Sequence, residues 1–219
     1  MTNPLADKEC PLCLSHDIAF YQKIHERDYW ACNQCCLRFL LSKDRLDRES
    51  EKARYDTHQN SPQDQGYRDF LSALSDPLIP KLNPGDHGLD YGSGPGPTLS
   101  VIFIENGFDM NIYDPYFAPN QTAFKQQYDF ITCTETVEHF YYPNNEFHHL
   151  DSLLKPGGYL GIMTQLYDSV ESFSDWWYLR DETHVSLYSR ETMNWIAQTF
   201  MWDVTFYGDR VILFQKMMD

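Results

Sequence analysis

The chain has 219 residues, enough for one medium domain with a small appendage, and its 15 Tyr, 14 Phe and 5 Trp can fill a sizeable core. Its net charge of −15 falls on residues 55–219, because residues 1–54 carry nine basic and nine acidic side chains. So acidic a body repels a phosphate backbone, which argues against a nucleic-acid substrate, and no apolar run approaches the roughly 18 residues of a membrane span. The opening MTNPLADKEC lacks a basic region followed by an apolar one, so a cytoplasmic protein is expected.

Two cysteine pairs come first, Cys10-Pro11-Leu12-Cys13 and Cys32-Asn33-Gln34-Cys35, with 18 residues between them. Each C-x-x-C turn aims two thiolates at one point, and two such turns complete a tetrahedral zinc site. Cys10, Cys13, Cys32 and Cys35 are therefore the expected ligands, and a full set of four makes the ion structural. Disulfides are the first alternative, disfavoured without a secretion signal. A redox dithiol is the second, and it lacks the usual βαβ setting. Ile18 to Ile24 and Tyr29 to Ala31 read as short strands of a zinc ribbon, closed by Leu37, Phe39, Leu40 and Leu41. So few apolar residues cannot fold unaided, and a metal would supply the stability. Cys36 reads as a spare thiol or substitute ligand, and Cys133 as a core residue.

Residues 42–64 are polar, with Leu46 and Tyr55 as isolated anchors, and read as a linker of some helical character. Gly66 to Leu82 has apolar residues at helical spacing, limited by Pro77 and Pro80. From residue 87, strands and helices alternate as in a parallel sheet covered on both faces. Gly88 to Tyr91 is the first strand and Thr98 to Glu105 its helix; Met110 to Tyr113 is the second strand. Further strands are expected at Tyr128 to Thr132, Tyr159 to Thr164, Trp202 to Tyr207 and Val211 to Gln215. The last two make an antiparallel hairpin around Gly208-Asp209. Helices fit Asn144 to Leu154 and Arg190 to Thr199, with a turn at Lys155-Pro156-Gly157-Gly158.

The first strand leads into Leu89-Asp90-Tyr91-Gly92-Ser93-Gly94-Pro95-Gly96. Glycines let the backbone bend and approach a ligand closely, and the helix that follows points its positive end at that ligand. A dinucleotide site wants G-x-G-x-x-G; here the third glycine comes one residue early. Asp114 closes the second strand, 24 residues after Asp90, where a carboxylate can accept both hydroxyls of a ribose. A turn-forming Asp before Pro115 is the plainer alternative.

The D-x-G-x-G-x-G form resembles the first motif of class I S-adenosylmethionine-dependent methyltransferases. Three later stretches extend that resemblance over residues 66–219: Tyr128 to Ile131 with Glu135-Thr136-Val137-Glu138-His139, Leu153 to Leu160, and Asp181 to Ser189, the last as in methylases of the ubiquinone-biosynthesis type. The resemblance implies a Rossmann-like, doubly wound α/β fold, with residues 1–45 a zinc-ribbon-like module, 46–86 a linker and leading helix that covers the cofactor cleft, and 87–219 the methyltransferase domain. It implies S-adenosylmethionine held by Asp90, Tyr91, Gly92, Gly94, Gly96, Asp114, Pro115, Thr134 and Glu135. One departure stands out: fourteen residues separate Asp114 from Asp129, where the family fits a helix and a third strand. Adenine contacts do not carry over; Tyr116 or Phe117 could stack on the base or pack the shortened connection.

His139 and His184 are the expected catalytic bases, against the ordinary reading of each as structural. Glu135 and Glu138 either favour the cationic cofactor or cap a turn, and His148 and His149 read as surface residues. Phe173, Trp176, Trp177 and Tyr178 form an aromatic lid over an acceptor, plain core, or a homodimer contact. The leading function is methylation of a small molecule. The alternatives are an RNA methyltransferase gripping RNA through the ribbon, and a non-catalytic cofactor-binding scaffold.

Overall fold

Alternating apolar and polar residues pair the first strands of the protein. The structure is a computed structural model describing residues 9–57 and 61–218, so most of the MTNPLADKEC segment lies outside the described residues. β1 (Ile18–Ile24) and β2 (Arg27–Cys32) are antiparallel around His25-Glu26. Both turn residues are left-handed (φ 48° and 63°), as a type I′ turn requires to match strand twist. β3 (Arg38–Leu40) adds to β2. The polar stretch beyond it contains α1 (Arg48–Tyr55), whose start is fixed by Asp47 accepting from Ser50 N at 2.8 Å. α2 (Gln65–Leu78) is capped by Asp64 and gives way to a tight turn over Ile79–Lys81, where Pro80 sits.

The alternating half follows as β4 (His87–Tyr91), α3 (Thr98–Glu105), β5 (Asp109–Tyr113), β6 (Tyr128–Thr134), α4 (Pro143–Leu153), β7 (Leu154–Met163), β8 (Ser186–Leu187), α5 (Arg190–Phe200), β9 (Trp202–Tyr207) and β10 (Val211–Lys216). Six of these strands form one sheet in the order β5-β4-β6-β7-β10-β9. β5, β4, β6 and β7 are parallel, and β10 is antiparallel to both β7 and β9. The expected Lys155 to Gly158 turn lies inside β7. Tyr128 and Phe130 of β6 face Leu154 and Tyr159, so the intervening residues form a bulge with Gly157 at φ 79°. Among the described residues no strand lies beyond β5, which is the sheet edge, followed by a short turn at Gln121–Lys125.

Period-two side chains split the core across the sheet. Phe130, Met163, Val211 and Leu213 face α2 and α3 through Leu71, Leu74, Leu78, Leu99 and Phe103. Ile131, Cys133, Leu160, Ile162, Ile212 and Phe214 face α4 and α5 through Phe147, Leu150, Met193 and Ile196. The strand order, not the chain direction, reverses between β4 and β6, so a crevice opens at their carboxyl ends.

The ribbon is built into this body. Its sheet, β1-β2-β3-β8, takes the last strand from the far end of the sequence, with Arg38 opposite Leu187 and Phe39 opposite Ser186. Asn144 of α4 donates to the carbonyls of Pro11 (3.0 Å) and Leu12 (2.7 Å). A three-residue strand with an open edge is thereby covered by the chain that needs it.

Candidate functional site

At the carboxyl ends of β4 and β6 lies a cavity of about 990 Å³. Every expected cofactor residue (Asp90, Tyr91, Gly92, Gly94, Gly96, Asp114, Pro115, Thr134, Glu135) and both expected histidines line it, joined by Tyr67, Phe70 and Leu71 of α2. The glycine bend forms its floor. Gly92 has φ 83°, and a Cβ there would meet Thr136 Cγ2 at 2.3 Å, so only glycine lets the bend close on the β6 loop. Gly94 has φ 64°, and nothing lies within 4 Å of its missing Cβ, which leaves open cavity on that side. No side chain caps the start of α3, whose free N–H groups follow the bend.

Asp90 is 3% exposed and acts as a clamp. Its carboxylate accepts from Thr132 Oγ1 and Ser100 Oγ, each at 3.0 Å, tying β4 to β6 and α3. Burial pushes its carboxyl up to about 6 against the pull of those two hydroxyls. Tyr91 turns toward α4, where its hydroxyl donates to Glu146 at 2.6 Å. Asp114 is more committed than its sequence position suggested. Its Oδ1 accepts from Tyr116 N (2.8 Å) and Phe117 N (2.9 Å), and its Oδ2 from Gly94 N (3.0 Å). It binds the glycine bend to the 114–118 loop and keeps only its remaining lone pairs for a ligand.

The fit to a nucleoside cofactor rests on groups the protein leaves unsatisfied. Ser93 Oγ and Thr134 Oγ1 are buried without a partner, and both residues line the cavity. Buried hydroxyls without partners cost free energy that a ligand's polar atoms can recover. Glu135 sits between them and the far wall with a left-handed backbone (φ 48°), an unusual conformation for a residue with a side chain.

That far wall is a polar network centred on Tyr178, one of the residues expected as lid, plain core or dimer contact. The Tyr178 hydroxyl donates to Glu138 Oε1, whose Oε2 accepts from Thr164 Oγ1 at 3.0 Å. Glu135 Oε2 lies 3.4 Å from the same hydroxyl. One phenolic proton cannot serve two carboxylates. Burial, and then the charge of Glu138, raise the Glu135 carboxyl well above its usual range, which favours a proton on Glu135. Phe173, Trp176 and Tyr178 are buried, and of the segment's four aromatics Trp177 alone is exposed, at the cavity rim. The segment is chiefly core.

His139 and His184 come together with ring centroids 4.9 Å apart. His139 Nδ1 faces the Thr183 carbonyl at 3.0 Å and His184 Nδ1 faces the Tyr178 carbonyl at 2.7 Å. A carbonyl only accepts, so each Nδ1 bears a proton, which leaves Nε2 as the lone-pair nitrogen of the neutral ring. Burial first, then His139, lower the His184 imidazole to about 3, which keeps it neutral. Glu138, His139 and His184 offer ligand atoms within 4.8 Å of one another, a donor set able to hold a divalent cation. Sequence reasoning gave the 42–64 linker some helical character but no place in the site, which α1 takes. Glu51, 8% exposed, accepts from the hydroxyls of Tyr55 (3.2 Å) and Tyr116. Tyr55 meets His139 edge-on, 5.3 Å between centroids. The available signal was Asp47 ahead of an acidic first turn, a helix start in an otherwise unpatterned stretch.

The cysteine cluster lies in the ribbon, apart from the cavity. The four sulfurs of Cys10, Cys13, Cys32 and Cys35 lie within 4.8 Å of one another, with Cys10–Cys35 at 3.5 Å and Cys13–Cys32 at 3.4 Å. All are free thiols, and tetrahedral zinc at about 2.3 Å per bond separates its sulfurs by about 3.8 Å. The residue after each pair, Leu14 (φ 61°) and Cys36 (φ 59°), is left-handed, so both halves repeat one knuckle geometry. The residues fit a closed S₄ zinc site. Cys36 stays outside it, and Cys133 is fully buried core, as expected.

A family model described as a methyltransferase domain matches residues 58–205. The ubiquinone biosynthesis O-methyltransferases of Klebsiella pneumoniae (strain 342) and Shewanella pealeana are 31% and 30% identical over 77 residues, which is 35% of this chain. The match covers 32% and 33% of those proteins, so the chain spans about a third of the length of the curated relatives it matches. A SAM-dependent methyltransferase of Archaeoglobus fulgidus shares the fold, with TM-score 0.50 and 17% identity over 68% of this chain and 94% of that one. A protein of Pyrococcus horikoshii does so with TM-score 0.52 and 14% identity over 72% and 93%. From this match, the sheet order and the glycine bend at its switch point, the chain belongs to the methyltransferase domain family and has the class I S-adenosylmethionine-dependent fold.

Proposed function

We propose that the protein transfers a methyl group from S-adenosylmethionine to a small-molecule acceptor in the cytoplasm, with a structural zinc ion in its ribbon. The observation that carries this reading is a single cavity joining the glycine bend to a paired-histidine wall. Residues Gly92 to Gly96, Thr134 and Glu135 would hold the cofactor, with Asp114 and Pro115 toward its sugar and Tyr116 or Phe117 toward its base. When bound, the cofactor supplies an electrophilic methyl group on a cationic sulfonium.

The protein's part is to place an acceptor in line and to manage its proton. His139 is half-buried on the cavity wall, and its Nε2 lone pair is suited to take a proton from a hydroxyl or amine. His184, kept neutral by burial, buttresses it. Tyr55, Tyr116, Phe117, Tyr141 and Trp177 offer faces for an apolar or planar acceptor. A second reading is favoured by the Glu138, His139 and His184 donor set: a divalent cation held there would lower the pKa of an acceptor hydroxyl. RNA is disfavoured as acceptor by the acidic body. In domain terms, we assign residues 1–45 to the ribbon, 46–86 to the cap and 87–219 to the transferase body.

Calorimetry with S-adenosylmethionine and S-adenosylhomocysteine tests the cofactor; binding of neither ends the proposal. Release of S-adenosylhomocysteine is then followed with panels of phenols and amines and with bulk RNA, before and after chelation. Turnover on RNA alone would transfer the assignment to the nucleic-acid class. Loss of turnover on chelation, restored by a divalent cation, would favour the cation over the base.

A further inference from the structure

Arg27 opens β2 of the ribbon, is only 9% exposed, and pairs with no carboxylate among the described residues. Its guanidinium donates instead to two backbone carbonyls of the segment that carries the cavity-lining Tyr178 and His184, Leu179 and, at 3.5 Å, Asp181. The Asp181 carboxylate is held separately by Arg54 at 2.6 Å. The first of these carbonyls belongs to the tight helical turn Trp177–Arg180, whose closing end is electronegative and lacks intrahelical donors. A rigid fork of N–H groups can bridge two such carbonyls, which a single ammonium cannot.

The segment so held carries the functional wall. Tyr178 stands just before the first carbonyl and His184 three residues after the second, and His184 Nδ1 donates back to the Tyr178 carbonyl at 2.7 Å. Their rings lie 3.9 Å apart. Ile24, Tyr29 and Leu40 of the ribbon share one apolar cluster with Tyr178, Leu179 and Val185. Leu40 N donates to Val185 O at 2.9 Å, so the ribbon grips the segment on both sides of His184.

We infer that Arg27 is a positioning residue of the transferase site: through it the ribbon sets the Tyr178–His184 turn and forms the fixed back wall of the acceptor pocket. This rests on reading the cavity as the place of methyl transfer. It gives the cysteine-bearing module a role inside the active site and needs no partner protein. The charged and titratable groups facing His184 include Tyr178, His139, Asp181, Glu138 and Arg27. Burial and His139 dominate in keeping the imidazole neutral, Asp181 opposes them, and Arg27 adds a smaller push toward neutrality.

The test is long-range ¹H–¹⁵N imidazole NMR on the full zinc-loaded chain, comparing wild type with Arg27→Ala, Arg27→Gln and Arg27→Lys. Lys43→Ala, on the exposed ribbon surface, serves as a control for nonspecific ribbon damage. In wild type and in the control, His184 shows its proton on Nδ1, held by the Tyr178 carbonyl. In Arg27→Ala its Nδ1–H pattern is lost, because the hydrogen bond to the Tyr178 carbonyl opens. Arg27→Lys does not restore the pattern, and S-adenosylhomocysteine binds all forms within about twofold. If Arg27→Ala does not fold, Arg27→Gln decides. An unchanged His184 tautomer and Nδ1–H signal in a folded Arg27 variant overturns the inference. Failure of wild type to bind S-adenosylhomocysteine sinks the transferase reading separately, because the NMR readout needs no cofactor.

Discussion

Gly92 and Gly94 stand two residues apart with left-handed backbones, yet substitution should separate them into a folding defect and a binding defect. Alanine in that conformation costs about 1 kcal/mol at either place. At Gly92 the new methyl would also sit 2.3 Å from Thr136 Cγ2 and 2.4 Å from Oγ1. Overpacking of this kind adds about 1–3 kcal/mol. Gly92→Ala should therefore lose about 2–4 kcal/mol, a fall in Tm of about 4–16 °C for a chain of this size. At Gly94 nothing lies within 4 Å, so Gly94→Ala should lose only about 1 kcal/mol. Its methyl intrudes on the cofactor's space instead, weakening S-adenosylhomocysteine binding about 5- to 100-fold. Thermal melts and calorimetry on both variants decide the matter. Adding Thr136→Gly to Gly92→Ala should recover the clash and not the backbone cost. If Gly94→Ala binds the nucleoside like wild type, the ligand does not lie against the bend. If Gly92→Ala melts with wild type, the close approach to Thr136 is absent.

Cys32→Ser should abolish stoichiometric zinc by elemental analysis and lower stability by several kcal/mol, while Cys36→Ser should keep about one zinc per chain. Asp114→Ala removes the acceptor of three backbone N–H groups, so it should raise exchange of the 94 and 116–117 amides and weaken nucleoside binding about tenfold or more without unfolding the chain. Burial raises the folded Asp90 carboxyl to about 6 from 3.8. The folded state therefore binds the extra proton, and stability from this group is full below 3.8 and lost as pH rises through about 6. Asp90→Asn should remove that dependence and gain up to about 3 kcal/mol on wild type above pH 6 in urea melts, with the difference shrinking toward pH 4. A constant difference across that range would contradict the burial argument.

Much of this protein was legible along the chain because its strongest signals are local. The cysteine spacing, the glycine bend, the strand-ending Asp114 and the shortened stretch before Asp129 each depend on a few neighbouring residues, and the structure places them where those patterns require. The Lys155 to Gly158 turn was misjudged because a proline–glycine run reads as a break, and only pairing with β6 shows it to be a bulge. α1 was hidden for the opposite reason: its face toward the cavity is Glu51 and Tyr55, too few apolar groups to give a period.

The sequence by itself determined the class of the fold, the closed sulfur site and the position of the bend, since each follows from backbone freedom and ligand spacing within short segments. Only the tertiary structure decided that Asp90 clamps strands, that Asp114 spends three hydrogen bonds on its own loop and the glycine bend, and that Tyr178 joins two carboxylates. It alone brought Arg27 to a turn some 150 residues away, with a sequence separation of 152 to Leu179. The physical reason is the same in each case. A hydrogen bond to a distant carbonyl or carboxylate leaves no mark on the residues beside it, so the partner is fixed only when the chain has packed.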